Sequence, residues 1–404
     1  MSFGFFFWQQ SVSLRKFSAQ IMSFKSIKHS VLALFVATLF SVPVMAQEEA
    51  HLESHDSVAS TAVAHEEGHE AAHGEEGKFD AKKVLLEHVM DSHSWHLWGH
   101  TSLPLPVIVY SDKGIETFMS DKLMDEHHHP VVHQANYPYK LVEDKLKVVN
   151  EDGSVNEELT GKIYDFSITK NVVAMFVGMA LMFLLFMSVA SAYKKRPGQA
   201  PKGLQSFMEP LIMFVRDEIA APNIGPRYAR YMPFLLTLFF FIWINNLLGL
   251  IPIFPGGANL TGNIAFTLTL AVITFLIVNF SGNGNYWKHI FWMPDVPVPI
   301  KIFLAPIELL GIFIKPVSLM IRLFANITAG HILVLGLISL IFIFKSVGAS
   351  AVSVPFAVFI SVVELLVAFL QAFIFTLLAS LYIGSAVEEH HHDHGDEHGH
   401  ANAH

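Results

Sequence analysis

Residues 306–344 read PIELLGIFIKPVSLMIRLFANITAGHILVLGLISLIFIF, and this stretch determines the fold. At 1.5 Å per residue, its helical composition predicts a helix of about 58 Å, which exceeds the ~30 Å hydrocarbon core of a bilayer. Residues 355–383 predict a second helix of about 43 Å, and residues 346–350 a turn between them. Ordinary tilts of about 0–40° accommodate the shorter helix but not the longer one. The sequence therefore predicts a steeply tilted helix hairpin inside a membrane, with a protein partner beside it.

One charge lies in the middle of this hairpin. Arg322 is surrounded by apolar residues, and an arginine at mid-membrane costs about 2.5–3.5 kcal/mol and cannot lose its proton. A polar stripe with a spacing of four residues runs through it: Ser318, Arg322, Asn326 and Gly330. Alanines border the stripe, so another helix can approach closely and meet the guanidinium. These residues are candidates for a functional site.

The hairpin holds further polar residues. Glu364 and Gln371 are seven residues apart and share one face of the second helix, and Glu308 lies near the face of Arg322 on the first. His331 is the natural counterpart of Glu364, since a hairpin brings the two helices together. A carboxylate, an imidazole and an amide inside lipid predict a hydrated proton path. The alternatives are that Glu364 neutralises Arg322 and that His331 is a hydrogen-bonded interior histidine.

Composition places the whole chain among polytopic membrane proteins. The 404 residues are 52% hydrophobic and only 15% charged, and the mean hydropathy is +0.44. A net charge of −9 argues against nucleic-acid binding. The absence of cysteine excludes disulfides, thiolate metal sites and a cysteine nucleophile.

Other apolar segments predict further membrane helices. Residues 172–193, 231–252 and 264–280 are each predicted to span the bilayer, and residues 203–220 to form an amphipathic helix on its cytoplasmic face. Lys194, Lys195 and Arg196 follow the first span, which places its end in the cytoplasm. The predicted membrane domain, residues 166–387, is thus all-α and polytopic. The C-terminus of this domain is expected in the cytoplasm.

The N-terminal part is hydrophilic and acidic, with 24 acidic residues and nine lysines over residues 47–165. Before it, residues 22–46 hold two lysines, a ten-residue apolar run and a small-residue end, which is typical of a secretory signal peptide. The alternative is a first membrane span, for which the run is short. Residues 1–21 fit neither pattern, so Met22 is an alternative start within the predicted signal region 1–46. The mature N-terminus is accordingly expected outside the cytoplasm.

The segment after this signal divides in two. Residues 47–78 are rich in His and Glu and are predicted to be disordered. Residues 79–165, called the front domain below, are predicted to form a small extracytoplasmic α+β domain, with helical spacing at 79–89 and short strands within 105–110 and 139–149. Residues 388–404 form a second His-rich tract. For both tracts, a solvated buffering segment and loose metal binding are the alternatives.

Around Arg322 the sequence resembles the a subunit of the membrane sector of F-type ATP synthases. The resemblance rests on PVSLMIRLFAN at residues 316–326, on the Ala-Gly pair at 329–330 and on LQAFIF at 370–375. NNLLGLIP at residues 245–252 also resembles the end of the family's second span. The resemblance covers roughly residues 165–389, and excludes the front domain and both His-rich tracts.

The resemblance implies a stator subunit in the bacterial inner membrane that holds two proton half-channels against a rotating ring of c subunits. Further implied partners are the b subunits of the peripheral stalk and the rest of the ATP synthase. Arg322 would be the essential arginine that meets each rotor carboxylate, with Gln371 facing it. His331 and Glu364 would line the half-channel from outside, in the exchanged order that some members show. Ser318 and Asn326 would border the cytoplasmic half-channel.

Other function classes fit the residues less well. The chain has no Walker-type phosphate loop, so we expect no ATP chemistry, no enzyme activity and no cofactor on this subunit. A secondary ion or zinc transporter is the alternative, but zinc would need clustered neutral His and carboxylates, and Arg322 repels a divalent ion. A mere membrane anchor leaves Arg322 and Glu364 unexplained. The sequence is compatible with either a proton or a sodium ion as the coupling ion.

Overall fold

A computed structural model describes most of the chain from residue 91 onward. The predicted signal peptide, the His/Glu-rich segment at 47–78, the helix at 79–89 and the tail from residue 389 lie outside the described residues. The described residues are 91–98, 101–125, 129–142, 144–196, 199–251, 256–293, 296–344 and 347–388.

The described part of the front domain consists of short antiparallel strands, a 3-10 turn (Ser120–Leu123) and one short α-helix. The elements are β1 (Ser94–Trp98), β2 (Thr101–Pro104), β3 (Pro106–Ser111), β4 (Gly114–Met119), β5 (His133–Gln134), β6 (Pro138–Val142), β7 (Lys145–Val148), α1 (Glu157–Thr160) and β8 (Tyr164–Asp165). They form three small sheets with the orders β1-β2, β4-β3-β8 and β5-β6-β7. The region predicted at 139–149 is the β6–β7 hairpin, whose turn contains Asp144 with a φ of 60°.

The front domain has its own apolar core. Side chains alternate along β3, so that Val107 and Val109 are fully buried while Tyr110 faces outward. Tyr139 from β6 is also fully buried and stacks on Phe118 of β4 at a centroid distance of 5.9 Å. Strands from separate sheets therefore pack into one unit.

Backbone hydrogen bonds join the front domain to the first membrane helix, α2 (Lys170–Lys195). The Lys170 N–H donates to the Ser92 carbonyl at 2.9 Å, and the Asn171 N–H donates to Asp91 Oδ1 at 3.0 Å. These bonds satisfy two of the amide groups that a helix start leaves free. The start of α2 is thus held by the front domain.

A buried ion pair lies beside this junction. His93 Nε2 is 3.0 Å from Asp165 Oδ2, and His93 Nδ1 is 2.9 Å from the Asp144 carbonyl. Burial alone would lower the pKa of His93, but the hydrogen bond and negative charge of Asp165 outweigh it and raise that pKa. The same contact lowers the pKa of Asp165 against its own burial. The pair therefore favours the ionised form of both groups.

Within the described residues, five helices are long and apolar enough to cross a membrane. The predicted spans correspond to α2, to α5 (Tyr228–Leu250) and to α6 (Ile264–Ser281), each within three residues of its predicted ends. The remaining two are α8 (Val298–Phe344) and α9 (Val347–Val387). A multi-pass, mainly helical membrane protein is confirmed.

The predicted helix at 203–220 is not a single regular helix. The chain forms α3 (Leu204–Phe214), a wider π-helical turn (Val215–Ala220) and α4 (Ala221–Ile224). Pro222 has no N–H to donate to the carbonyl four residues earlier, which favours the wider turn. A short helix that was not predicted from the sequence, α7 (Gly284–Phe291), follows α6.

The hairpin helices start earlier than predicted. Expected starts at Pro306 and Pro355 are wrong, since α8 begins at Val298 and α9 at Val347, with these prolines and Pro316 inside. Each proline removes one backbone hydrogen bond, to the carbonyl four residues earlier, and membrane helices tolerate this loss. The predicted turn at 346–350 is also wrong over residues 347–350, which are helical. At 47 and 41 residues, the helices are about 70 Å and 62 Å long.

The membrane helices divide into a packed half and an open half. In the helical segment that ends with α5, 67% of the most apolar stretch is buried inside the chain. The corresponding share is 11% for α8 and 22% for α9. The hairpin therefore packs along one side and leaves a broad apolar side uncovered.

Candidate functional site

Three contacts define how α8 and α9 pair. In each, the two residue numbers add up to nearly the same value, as an antiparallel pair requires. Asn326 Nδ2 donates to Gln371 Oε1 at 2.9 Å, His331 Nδ1 lies 3.8 Å from Glu364 Oε1, and Lys315 Nζ lies 5.4 Å from the centre of the Tyr382 ring. The polar residues predicted on the two helices thus face each other across the hairpin.

His331 and Glu364 form an acid–base pair inside the protein. Their side chains are 17% and 13% exposed. A Cβ built on Gly330 would lie 2.5 Å from Glu364 Oε1, so only glycine lets the carboxylate reach this position. On the other side, a Cβ on Gly249 of α5 would lie 3.9 Å from His331 Nε2. Gly330 therefore makes room for the pair, whereas a Cβ on Gly249 would only be in ordinary van der Waals contact with the imidazole.

Polar side chains of neighbouring elements lie near this pair. Asn246 of α5 donates to the Ala368 carbonyl of α9 at 3.2 Å and accepts a hydrogen bond from Thr261 Oγ1 at 2.8 Å. Asn263 accepts from the Ala265 and Phe266 N–H groups and so caps α6. Asn246 therefore joins α5 to α9, and Asn263 caps the start of α6.

The front domain contacts the loop beside His331. Trp95 is 3% exposed and packs with Ala174 of α2 and Ala258, which lies between α5 and α6. The Ala258 carbonyl lies 3.3 Å from the Cβ position of Gly249, the residue next to His331. No sequence pattern indicates this connection, because Trp95 and Ala258 are far apart in the chain.

Arg322 is exposed on the open side of α8. Among the described residues, none forms a hydrogen bond or an ion pair with its guanidinium. Glu364 contacts His331 instead, nine residues or about 13.5 Å along α8 from Arg322. The alternative in which Glu364 neutralises Arg322 does not hold. Gln371 contacts Asn326, one helical turn from the arginine.

A second polar group lies on the other side of Arg322. Tyr382 is within electrostatic range of Arg322 and contacts Lys315. Nearer the start of α8, the Glu308 carboxylate lies within electrostatic range of Tyr286 of α7. Burial, together with the negative charge of Glu308, raises the pKa of Tyr286. Ser318 is half-buried between the two regions. Glu308 and Ser318 were predicted from the sequence as site residues, whereas the two tyrosines were not.

Arg322 therefore separates two regions that can exchange protons. His331 and Glu364 lie on one side, and Glu308 with its polar neighbours on the other. The guanidinium is a permanent cation. An exposed permanent cation on an apolar surface calls for an anionic group from outside the chain.

Comparison with known proteins gives consistent matches. The sequence pattern of the ATP synthase A chain family matches residues 172–384, and a pattern described as a domain of unknown function matches residues 84–166. ATP synthase subunit a of Chloroherpeton thalassium is 48% identical over 249 residues, which are 60% of this chain and 72% of that protein. ATP synthase subunit a of Chlorobium phaeobacteroides is 38% identical over 379 residues, and that of Pelodictyon phaeoclathratiforme 39% over 378 residues. Each of these two alignments covers 90% of this chain and 94% of the relative.

Proposed function

The chain belongs to the ATP synthase A chain family, and we propose that Arg322 is the group through which this stator subunit a moves protons past the rotor. The observation that carries the proposal is the exposed guanidinium, unpaired among the described residues, between two polar regions of one hairpin. The chain serves ATP synthesis and proton transport as a multi-pass membrane protein. Its residues perform no ATP chemistry, which belongs to partner subunits.

The role of Arg322 follows from how surroundings shift a carboxyl group. A rotor carboxyl group facing lipid stays neutral because desolvation disfavours its charge, whereas a fixed cation nearby favours the carboxylate. As a carboxyl group reaches Arg322, it releases its proton to one side. As it leaves, it takes up a proton from the other side. Each charge gains about 2.3 kcal/mol per 100 mV, so several protons drive one ATP.

The two polar regions serve as half-channels. Glu364 and His331 carry protons between the outside and the rotor, with the carboxyl group as the exchanging site. Ser318 and Glu308 carry them between the rotor and the cytoplasm, whereas Asn326, which the resemblance assigns to that half-channel, lies on the His331 side of Arg322. Gln371 holds the Asn326 amide by its hydrogen bond and so fixes the polar stripe next to Arg322. The guanidinium prevents a direct leak, since a second cation is repelled there.

The lengths of α8 and α9 require a steep inclination in the bilayer. A straight helix of about 70 Å fits a ~30 Å core at about 65° from the normal. Such a hairpin offers its open side to the ring of c subunits, and b subunits of the peripheral stalk hold the stator in place. The lysines at the end of α2 set the orientation, with a mature N-terminus outside and a cytoplasmic C-terminus in a bacterial inner membrane. A signal peptide at 1–46 exports the front domain.

The transporter alternative is not favoured. The relatives are named as ATP synthase subunits, and two of them align over most of this chain. Within the described residues, no cluster of three or more His, Asp or Glu side chains is arranged to hold a metal ion. The His-rich tracts lie outside those residues.

ATP-driven proton pumping in inverted membrane vesicles tests the proposal. We expect Arg322→Ala to abolish pumping while blotting shows normal assembly. Lys301→Ala is the matched control, because Lys301 is also a cation on α8 but lies over the Trp292 ring, 4.9 Å from its centre. It should pump like the wild type. Undiminished pumping by an assembled Arg322→Ala variant would overturn the proposal.

A further inference from the structure

A small cavity lies between α6, α7, α8 and α9, on the Glu308 side of Arg322. The space open to the centre of a water molecule is about 20 Å³, enough for one bound water. Polar side chains from all four helices contribute to its wall, and so do apolar ones. The polar lining residues are Thr274, Asn279, Tyr286, Lys315 and Tyr382. A polar cavity of this size favours water over a dry void.

Asn279 supplies an acceptor that lacks a partner. Its Nδ2 donates to the Phe275 carbonyl of the same helix at 2.7 Å. Its Oδ1 is buried and has no hydrogen-bond partner among the described residues. A buried polar atom without a hydrogen bond is costly, and bound water commonly satisfies such atoms. The orphaned oxygen is thus independent evidence for water in the cavity.

The lower wall of the cavity is held in place by α7. Asn283 donates from its backbone N–H to the Ala386 carbonyl and from its side chain to the Val387 carbonyl, both at 2.9 Å. A Cβ on Gly282 would lie 2.6 Å from the Tyr286 ring, so glycine is needed for the ring to pack there. The end of α9 and the start of α7 therefore fix Tyr286 at the cavity.

We propose that this cavity holds a bound water that relays protons between Glu308 and the rotor carboxyl group that meets Arg322. The inference rests on the proposed function and adds Asn279, Tyr286 and Tyr382 to the cytoplasmic half-channel. The charge of Arg322 acts on Tyr382, and the charge of Glu308 acts on Tyr286. Both tyrosines line the cavity, which therefore lies between the two charged groups. The tyrosine hydroxyl groups and the water each accept one proton and pass on another, while the Asn279 amide oxygen holds the water by accepting a hydrogen bond.

Passive proton conduction by membranes stripped of the catalytic sector tests the relay. Asn279→Leu removes the amide at nearly constant volume, and we expect conduction to fall about fivefold, the factor typical of one lost hydrogen bond. Asn279→Asp keeps an acceptor and should conduct within about twofold of the wild type. The control Thr269→Val removes a similar bond within α6, from Thr269 Oγ1 to the Ala265 carbonyl, away from the cavity. It should leave conduction unchanged.

Two results would overturn the relay: an Asn279→Leu variant that conducts like the control, or equal losses in Asn279→Leu and Asn279→Asp. Arg322→Ala in the same membranes separates the two proposals. If Arg322→Ala shows no ATP-driven proton pumping while Asn279→Leu conducts normally, the proposed function stands and only the relay is rejected. If Arg322→Ala pumps normally, the proposed function itself is rejected.

Cysteine labelling tests hydration directly and does not depend on conduction. The chain contains no cysteine, so a single introduced thiol is unambiguous on this subunit. Leu319 and Leu323 of α8 are 1% and 0% exposed, and only Leu319 lines the cavity. In the intact complex, N-ethylmaleimide should modify Leu319→Cys several-fold faster than Leu323→Cys, because only the thiolate reacts and it needs water. Equal rates, or no reaction at either position, would show that the cavity is dry.

Discussion

Replacing Gly330 by alanine tests whether the distance between His331 and Glu364 controls transport. The added Cβ would lie 2.5 Å from Glu364 Oε1, whereas ordinary contact begins at 3.4 Å. The carboxylate end of a glutamate is flexible, so it moves away by about 0.9 Å and the fold survives. Its distance from His331 Nδ1 then grows from 3.8 Å to as much as about 4.7 Å.

Coulomb's law converts this displacement into a rate effect. A proton that passes from Glu364 to His331 leaves a carboxylate beside a protonated imidazole. At an effective dielectric constant of about 20, the attraction that stabilises this charge-separated form weakens by about 0.8 kcal/mol, or about fourfold in rate. ATP-driven pumping by assembled complexes in inverted vesicles should therefore fall by about that factor. Recovery in Gly330→Ala combined with Glu364→Asp, whose side chain is shorter, would support the steric cause.

Gly336→Ala is the matched control for this prediction. Gly336 lies six residues further along α8, and nothing lies within 4 Å of its Cβ position. Both substitutions bring the same gain in helix propensity, so only Gly330→Ala perturbs the pair. If the two variants pump equally well, the separation of His331 and Glu364 does not limit transport and the reasoning fails.

One further prediction concerns the His331–Glu364 pair, and two concern the front domain. Glu364→Gln should slow pumping more than His331→Ala, because an amide takes up no proton whereas water can stand in for the imidazole. Wild-type rates in both variants would refute the half-channel assignment. Trp95→Ala should make the front domain of the assembled complex more sensitive to protease, since large-to-alanine changes in a core cost about 3–5 kcal/mol, and an unchanged cleavage rate would contradict the packing. The raised pKa of His93 adds stability that is fully present below about pH 6.5 and is lost as the pH rises through the folded-state pKa. Protease sensitivity should therefore increase from about pH 6.5 upward in the wild type, and His93→Gln should remove this trend.

The membrane topology was predictable because each span leaves a long, local signal. The ends of α2, α5 and α6 follow from apolar runs near 20 residues, the length that a bilayer selects. Helix starts inside the hairpin were not predictable, because proline marks a helix start in water but is tolerated within apolar helices. The proximity of His331 and Glu364 followed from the hairpin alone.

Contacts between distant elements left no such signal. The cavity is lined by residues from four helices, with Asn279 and Tyr382 more than 100 positions apart. Asn279 and Tyr286 look like ordinary polar residues at a helix end. Similarly, the contact of Trp95 with Ala258 depends on how the front domain sits on α2. Only the folded chain shows that these residues adjoin the polar regions.

The open side of the hairpin explains why the arginine can be both costly and retained. Burying a guanidinium inside the chain would require a permanent partner, and a permanent ion pair could not exchange with passing carboxyl groups. In the described residues, Asn326 is held by Gln371 and Glu364 by His331, so neither is free to pair with Arg322. The partner must therefore come from outside and must be replaceable. A rotor that presents one carboxyl group after another meets both conditions, since each arrival compensates the mid-membrane cost of about 2.5–3.5 kcal/mol and each departure restores it.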